Sequence, residues 1–248
     1  MNGRVTLITG GGRGIGREAA LLLAAAGARV MITARTENEL AAVGVDYVVA
    51  DLGTTEGCRH AVSETERRLG PIEILVVNHG LGSAHERLIW KQDPETWHEM
   101  MRINLDGPFE LTRLVVGGMV ERRYGRIVYT SSTAGRFAER SGSAYTASKH
   151  GLIGLMRAVA QDAGPFEVRS NAVMPGWVRT EMAERSARTE AQKRNITVEQ
   201  VWQERAAGYP VGRVLTPREV ADTIVYLCSD ASSGINGEAI TVSLGGMW

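Results

Sequence analysis

The feature that most limits the fold is an alternation of short β-branched runs with helical stretches, six or seven times over along 248 residues. Arg4–Thr9 (RVTLIT) is a brief apolar run ending in glycines, the pattern of a buried strand. Residues 15–26 have helical composition and stop at Gly27, a favoured residue just past a helix end. Ala28–Thr33 reads as a second strand, and Thr36–Ala42 as a short helix with Thr36 and Glu39 at capping-box spacing. Val45–Ala50 is the third strand, Thr54 or Thr55 caps a helix to Leu69, and Ile72–Asn78 is the fourth strand. Asp93-Pro94 opens one long helix running through Val120, followed by a strand at Gly125–Ser131 and a helix at Ala144–Asp162. Phe166–Val173 holds the sixth strand, Thr216–Glu219 caps a helix ending near Cys228, and Glu238–Val242 closes the pattern. Strands separated by helices run parallel with right-handed crossovers, and the helices cover both sheet faces. The expected fold is α/β, a doubly wound parallel sheet in a three-layer sandwich, with a single domain over 1–248. Thr180–Gly212, charged and helical, breaks the rhythm and reads as a lid at about 180–212.

Composition narrows the partners. The 28 basic and 28 acidic residues cancel, which argues against a dedicated nucleic-acid or anionic-membrane binder. Cys58 and Cys228 sit in no CxxC pair, and no His/Asp/Glu cluster has metal-ligand spacing, so no metal is expected. The longest apolar stretch, Ala19–Ala28, is about half a membrane span, and no apolar leader opens the chain, so a cytoplasmic protein is expected. Glycine is enriched, 29 of 248 residues or about 12% against an average of roughly 7%.

Part of that surplus lies in Thr9-Gly10-Gly11-Gly12-Arg13-Gly14-Ile15-Gly16, at the first strand-to-helix junction. Such a turn lets backbone N–H groups and a helix N-terminus approach a diphosphate, as in Rossmann-type dinucleotide sites. Its spacing, Gly-x-x-x-Gly-x-Gly, is not that of a P-loop, which needs Gly-Lys-Ser/Thr. The second strand ends at Ala34-Arg35 with no acid to hold a ribose 2′-hydroxyl. Arg35 and Arg13 together suit a 2′-phosphate, so NADP(H) is favoured, with NAD(H) the alternative.

Tyr145 and Lys149 are four apart on a helix and share a face. A phenol titrates near ~10, so acting near neutral pH requires a depression worth ~4 kcal/mol. A cation ~5 Å away supplies roughly 3 kcal/mol at an effective dielectric of ~20. Lys149 and an oxidised nicotinamide together suffice. Ser132, thirteen residues before Tyr145 at the end of strand five, is placed to hydrogen-bond a reacting oxygen. Ser131 competes for that role, but adjacent strand residues point to opposite faces.

With these pieces assembled, the chain resembles the short-chain dehydrogenase/reductase family over essentially its full length, in the ~250-residue branch that includes 3-oxoacyl carrier protein reductase-like ketoreductases. The matching motifs are residues 9–16, Asp51-Leu52, Asn78-His79-Gly80, Asn104, Ser132, Tyr145, Lys149 and Pro175-Gly176. The resemblance implies Tyr145 as acid/base, Lys149 as ribose ligand and pKa depressor, and Ser132, favoured over Ser131 by family spacing, as orienter of the substrate oxygen. It implies that Asn104 supports a proton-relaying water. Cofactor contacts are implied for Gly10, Arg13, Gly14, Ile15, Gly16, Arg35, Asp51, Leu52, Asn78, Gly80, Tyr145, Lys149, Pro175, Gly176, Val178 and Thr180. The implied activity is hydride transfer between nicotinamide and a carbonyl or secondary alcohol, foremost of a 3-oxoacyl type with an acyl thioester among its substrates. A homotetramer is also implied. The alternatives are an NAD-dependent secondary-alcohol or hydroxyacid dehydrogenase, and a non-catalytic NADP-binding regulator.

His79 departs from the family's Asn-Ala-Gly and is expected to pack or touch the cofactor. The span between Arg35 and Asp51 is shorter than usual in the family, trimming an outer helix. Phe137, Trp177, Met182 and Trp202 are candidates for an apolar substrate wall, with core packing as the alternative. His85, Glu86 and Arg87 are substrate-loop candidates, with a solvated loop as the alternative.

Overall fold

The computed structural model describes residues 1, 3–83, 87–138 and 140–246. Strands β1 (Val5–Thr9), β2 (Arg29–Ala34), β3 (Asp46–Val49), β4 (Ile74–Val77), β5 (Gly125–Thr130), β6 (Val168–Pro175) and β7 (Ala239–Val242) form one parallel sheet in the order β3-β2-β1-β4-β5-β6-β7. Helices α1 (Gly14–Ala25), α2 (Glu37–Ala41), α3 (Thr55–Leu69), α4 (Pro94–Met101), α5 (Gly107–Arg122) and α6 (Ser143–Ala163) punctuate the strands. After β6 come α7 (Glu181–Arg194), α8 (Val198–Ala207) and α9 (Pro217–Cys228).

Successive strand residues feed opposite layers, as the pleat requires. Leu7, Leu75 and Ile127 pack with Ala61, Leu111 and Met156 of α3, α5 and α6. Ile8, Val76 and Val128 pack with Ala19, Leu23, Val220 and Ile224 of α1 and α9. Strands buried on both faces explain why they read as unbroken apolar runs rather than alternating ones. The expected three-layer α/β sandwich is therefore what the chain forms. Among the described residues, no helix is long and apolar enough to cross a membrane.

Three local expectations need correction. The single helix expected from Asp93 through Val120 is interrupted by a π-turn over Arg102–Asp106, which carries Asn104. Gly107 N–H reaches back to the Arg102 carbonyl, and Pro108 has no N–H to continue the ladder in ordinary register. No capping box forms at Thr36: its side chain makes no capping bond, and the Glu39 carboxylate pairs with Arg13 across the fold instead of folding back to the Thr36 N–H. Strand six runs Val168–Pro175 rather than 166–173, since Phe166 closes a 3-10 turn and Glu167 is left-handed at φ 64°.

The segment between β6 and α9 forms a helical hairpin with its own small core of Ala183, Ala187, Ala191, Val201 and Trp202. Thr197 and Gln200 close a reciprocal capping box at the start of α8.

Candidate active site

In a doubly wound sheet, ligands bind beyond the carboxyl ends of the strands where the strand order reverses. Here the reversal lies between β1 and β4, and a cleft of about 500 Å³ opens there. That volume is in the range of small-molecule sites.

The loop after β1 forms one end of the cleft. Gly10 and Gly14 have φ of 64° and 54°, conformations in which L side chains are strained. A Cβ on Gly16 would run into the Gly10 carbonyl oxygen. Arg13 precedes α1, whose first turn carries no acidic side chain to compete with a bound anion. The glycine loop therefore fits a diphosphate. Gly10, Arg13, Gly14, Ile15, Arg35, Asp51, Leu52, Asn78 and Gly80 line the cleft, as do Ser132, Tyr145, Lys149, Pro175, Gly176, Val178 and Thr180. Gly16 and Asn104 stand outside that lining, Asn104 fully buried behind it.

The loop after β4 is tied to β1 through one hydroxyl. Thr9 Oγ1 accepts from the Asn78 N–H at 2.9 Å and the His79 N–H at 3.2 Å, and lies 2.7 Å from His79 Nδ1. With two N–H groups already donated to it, the hydroxyl has a single proton to give, with His79 Nδ1 at 2.7 Å and the Val76 carbonyl at 3.4 Å as its acceptors. Nε2 is buried without a hydrogen-bond partner among the described residues, and the Ile103 backbone of the π-turn lies close to the ring. Burial, with the Lys149 charge, pushes the His79 pKa down to about 3. The ring is thus a neutral brace between β1, β4 and the π-turn, and it also lines the cleft wall. Thr9 opens the glycine motif in the sequence, but its tie to the loop after β4 was not foreseen there.

Asn104 grips the same loop. Its Oδ1 accepts from Leu81 N–H at 2.7 Å, and its Nδ2 donates to the Leu81 carbonyl at 3.0 Å and Ser148 Oγ at 3.2 Å. The amide is spent on the loop and on α6, behind the cleft wall.

On the other side, Lys149 is almost fully buried, and its Nζ donates to the Thr130 carbonyl at 3.0 Å. Burial pushes its pKa down to about 8. Its Nζ stands 5.7 Å from the Tyr145 ring centroid, one helical turn earlier on α6. Ser132 Oγ accepts from the Ala134 N–H at 3.1 Å, while Ser131 Oγ is turned inward to the Lys149 carbonyl at 3.2 Å.

The loop after β6 closes the far end. Gly176 N–H bonds the Val242 carbonyl, Val178 bridges to Leu215, and Thr180 caps α7 by accepting from Ala183 N–H at 3.2 Å. Asp51 Oδ1 turns back to Gly53 N–H at 3.0 Å.

Of the apolar candidates, Trp177 and Met182 line the cleft, whereas Trp202 belongs to the α7–α8 core and Phe137 lies outside the lining. Arg87 joins a separate groove with Trp90 and His150, and His85 and Glu86 lie outside the described residues.

The chain is similar to known proteins over nearly its whole length. A family model described as enoyl-(acyl carrier protein) reductase matches residues 10–247. A putative ketoacyl reductase of the monensin polyketide synthase from Streptomyces virginiae is 36% identical over 96% of this chain and 95% of its own. An acetoacetyl-CoA reductase of Rhizobium meliloti is 34% identical over 98% of each chain. An actinorhodin polyketide ketoreductase solved with NADPH superposes with a TM-score of 0.91 at 32% identity, covering 98% of both chains.

Proposed function

Because the chain belongs to the short-chain dehydrogenase/reductase family, we propose that it is an NADP(H)-dependent ketoreductase acting on a 3-oxoacyl-type carbonyl, with acyl thioesters as its substrate class. The observation that carries this reading is the convergence of Ser132, Tyr145 and Lys149 on the cleft that the glycine loop enters from the other end.

When bound, the nicotinamide supplies hydride to the carbonyl carbon, or accepts it in the reverse direction. Tyr145 gives its phenolic proton to the carbonyl oxygen and is left as phenolate. The Lys149 ammonium, charged below pH about 8, stabilises that phenolate through a low-dielectric gap. Ser132 hydrogen-bonds the same substrate oxygen and orients it. Asn104 is a positioning residue, holding Leu81 and Ser148 so that Gly80 and α6 keep their spacing.

For the cofactor, the α1 N-terminus and Gly10, Gly14, Ile15 and Gly16 would hold the diphosphate, and Arg13 and Arg35 a 2′-phosphate. Asp51 and Leu52 would flank the adenine. Asn78, Gly80, Pro175, Gly176, Val178 and Thr180 would enclose the nicotinamide half. The α7–α8 hairpin would act as a lid over the substrate end, where Met182 and Trp177 give an apolar wall. The reading includes a homotetramer, which a solution mass near that of one 26.9 kDa chain would contradict.

The test is a coupled pair of measurements. Purified protein should consume NADPH when acetoacetyl-CoA is supplied, and bind NADPH more tightly than NADH, a preference that Arg35→Ala erases. Absence of turnover on acetoacetyl-CoA and on a panel of 3-oxo esters would overturn the assignment.

A further inference from the structure

At the adenosine end of the cleft, Arg13 is already engaged. Its Nη1 donates to Glu39 Oε1 at 2.9 Å, and both side chains are a little over a third exposed. Residue type and packing hold this pair together. Helix α2 has only five residues and is anchored by the fully buried Leu40. Gly12 lets it approach, since a Cβ there would stand 3.1 Å from Glu39 Cβ and 3.4 Å from its carbonyl carbon. The carboxylate is thereby set beside the residue that follows the glycines. The neighbouring Glu37 is turned toward the hydroxyl of Tyr47, and Arg35 stands exposed on the same rim. Arg13, Arg35, Thr36 and Glu39 all line this end of the cleft.

We propose that Glu39 is a specificity-determining residue that limits the preference for a phosphorylated cofactor by competing with the 2′-phosphate for the Arg13 guanidinium. The inference rests on the NADP(H) reading above. A phosphate reaching Arg13 must share the guanidinium with the Glu39 carboxylate or displace it, and either way sits beside a carboxylate, where like charges repel. A ribose carrying a free 2′-hydroxyl leaves the pair closed and meets no such repulsion. The penalty therefore falls on NADPH alone, and Glu39 narrows the margin that Arg13 and Arg35 create. The exposed ion pair is weak by itself. The repulsion of the phosphate makes the effect measurable.

Fluorescence titration of wild type, Glu39→Gln and Arg35→Ala with NADPH and NADH tests this, with thermal melting to confirm folding. Glu39→Gln should lower the Kd for NADPH about tenfold, or about 1.4 kcal/mol, and leave that for NADH within about twofold. An unchanged or weakened NADPH affinity overturns the proposal, the latter meaning that Glu39 aims Arg13 at the phosphate. Equal tightening of both cofactors overturns it too, because the effect then lies away from the 2′ position. The two readings fail separately. Wild type favouring NADH with Arg35→Ala silent sinks the NADP(H) reading, while NADPH-selective tightening in Glu39→Gln still upholds the role of Glu39.

Discussion

Lys149 and Thr130 are joined by a hydrogen bond from Nζ to the backbone carbonyl, 3.0 Å long and screened from water. The neighbouring Ser131 returns a bond to the Lys149 carbonyl, so the end of β5 and the start of α6 clasp each other. This clasp aims Lys149 and occupies the Ser131 hydroxyl, while Ser132 beside it caps the turn that follows β5.

The buried ammonium has a stability consequence. Its folded pKa, about 8, lies below its usual value of 10.5, so between those pH values the unfolded chain binds the proton and the folded chain does not. Stability contributed by this group therefore rises with pH across that window and is at its lowest below it. Lys149→Met should stabilise the protein at pH 7 by about 2 kcal/mol, roughly 3 from relieved desolvation less about 1 for the lost bond to Thr130. Melting curves at pH 7 and pH 10 should show a gain of roughly 4–8 °C that shrinks at the higher pH, while activity is lost. A variant less stable than wild type at pH 7 would contradict this.

His79 titrates the other way on acidification. Its imidazole is held neutral down to about pH 3, whereas an unfolded histidine protonates near 6.5. The stability that the neutral ring contributes is present above pH 6.5 and lost as the pH falls toward 3. At pH 5 the loss is about 2 kcal/mol relative to pH 7. His79→Gln, which cannot protonate, should lose less melting temperature than wild type between pH 7 and pH 5. Parallel losses would show that the ring is not shielded.

Asn104→Ala leaves the half-buried N–H and carbonyl of Leu81 without the amide that satisfies both. The expected cost is about 2–3 kcal/mol, or a fall of roughly 5–10 °C in Tm. If Asn104 acts by positioning, kcat should fall with little change in KM, and Asn104→Asp, which keeps the acceptor toward Leu81 N–H, should recover part of it.

Arg205 is stacked 3.7 Å from the Trp177 ring centroid and 4.9 Å from that of Trp202, and pairs with Glu190 at 2.9 Å. It fastens the α7–α8 hairpin to the loop after β6. Arg205→Ala should speed proteolytic cleavage within 181–207 and raise KM severalfold, two to three lost contacts being worth about 1 kcal/mol each. An unaltered cleavage rate would separate the hairpin from this stack.

The layers were legible because both strand faces are buried, which leaves apolar runs too plain to mistake, and because glycines mark the β1–α1 turn. The glycine-loop end of the cleft was legible in residue type: Gly14 and Gly10 occupy left-handed positions, and Arg13 and Arg35 stand on one rim. What escaped depends on distant partners. Glu39 had the local spacing of a cap for Thr36, but a guanidinium 26 residues earlier in the chain outcompetes a backbone N–H. The π-turn at Arg102–Asp106 hid inside a helical pattern, although Gly107-Pro108 just after it was a usable warning. For Trp202 the sequence left pocket wall and core packing open, because periodicity does not say which surface a helix covers, and the structure places it in the hairpin core.

The central claim is that Tyr145 passes the proton. The direct measurement is NADPH consumption with acetoacetyl-CoA by wild type and Tyr145→Phe, beside NADPH binding to both. Phenylalanine keeps the ring and removes the proton, so kcat should fall by about 10²–10⁴ with NADPH affinity within about threefold. Near-normal turnover by Tyr145→Phe would contradict the account.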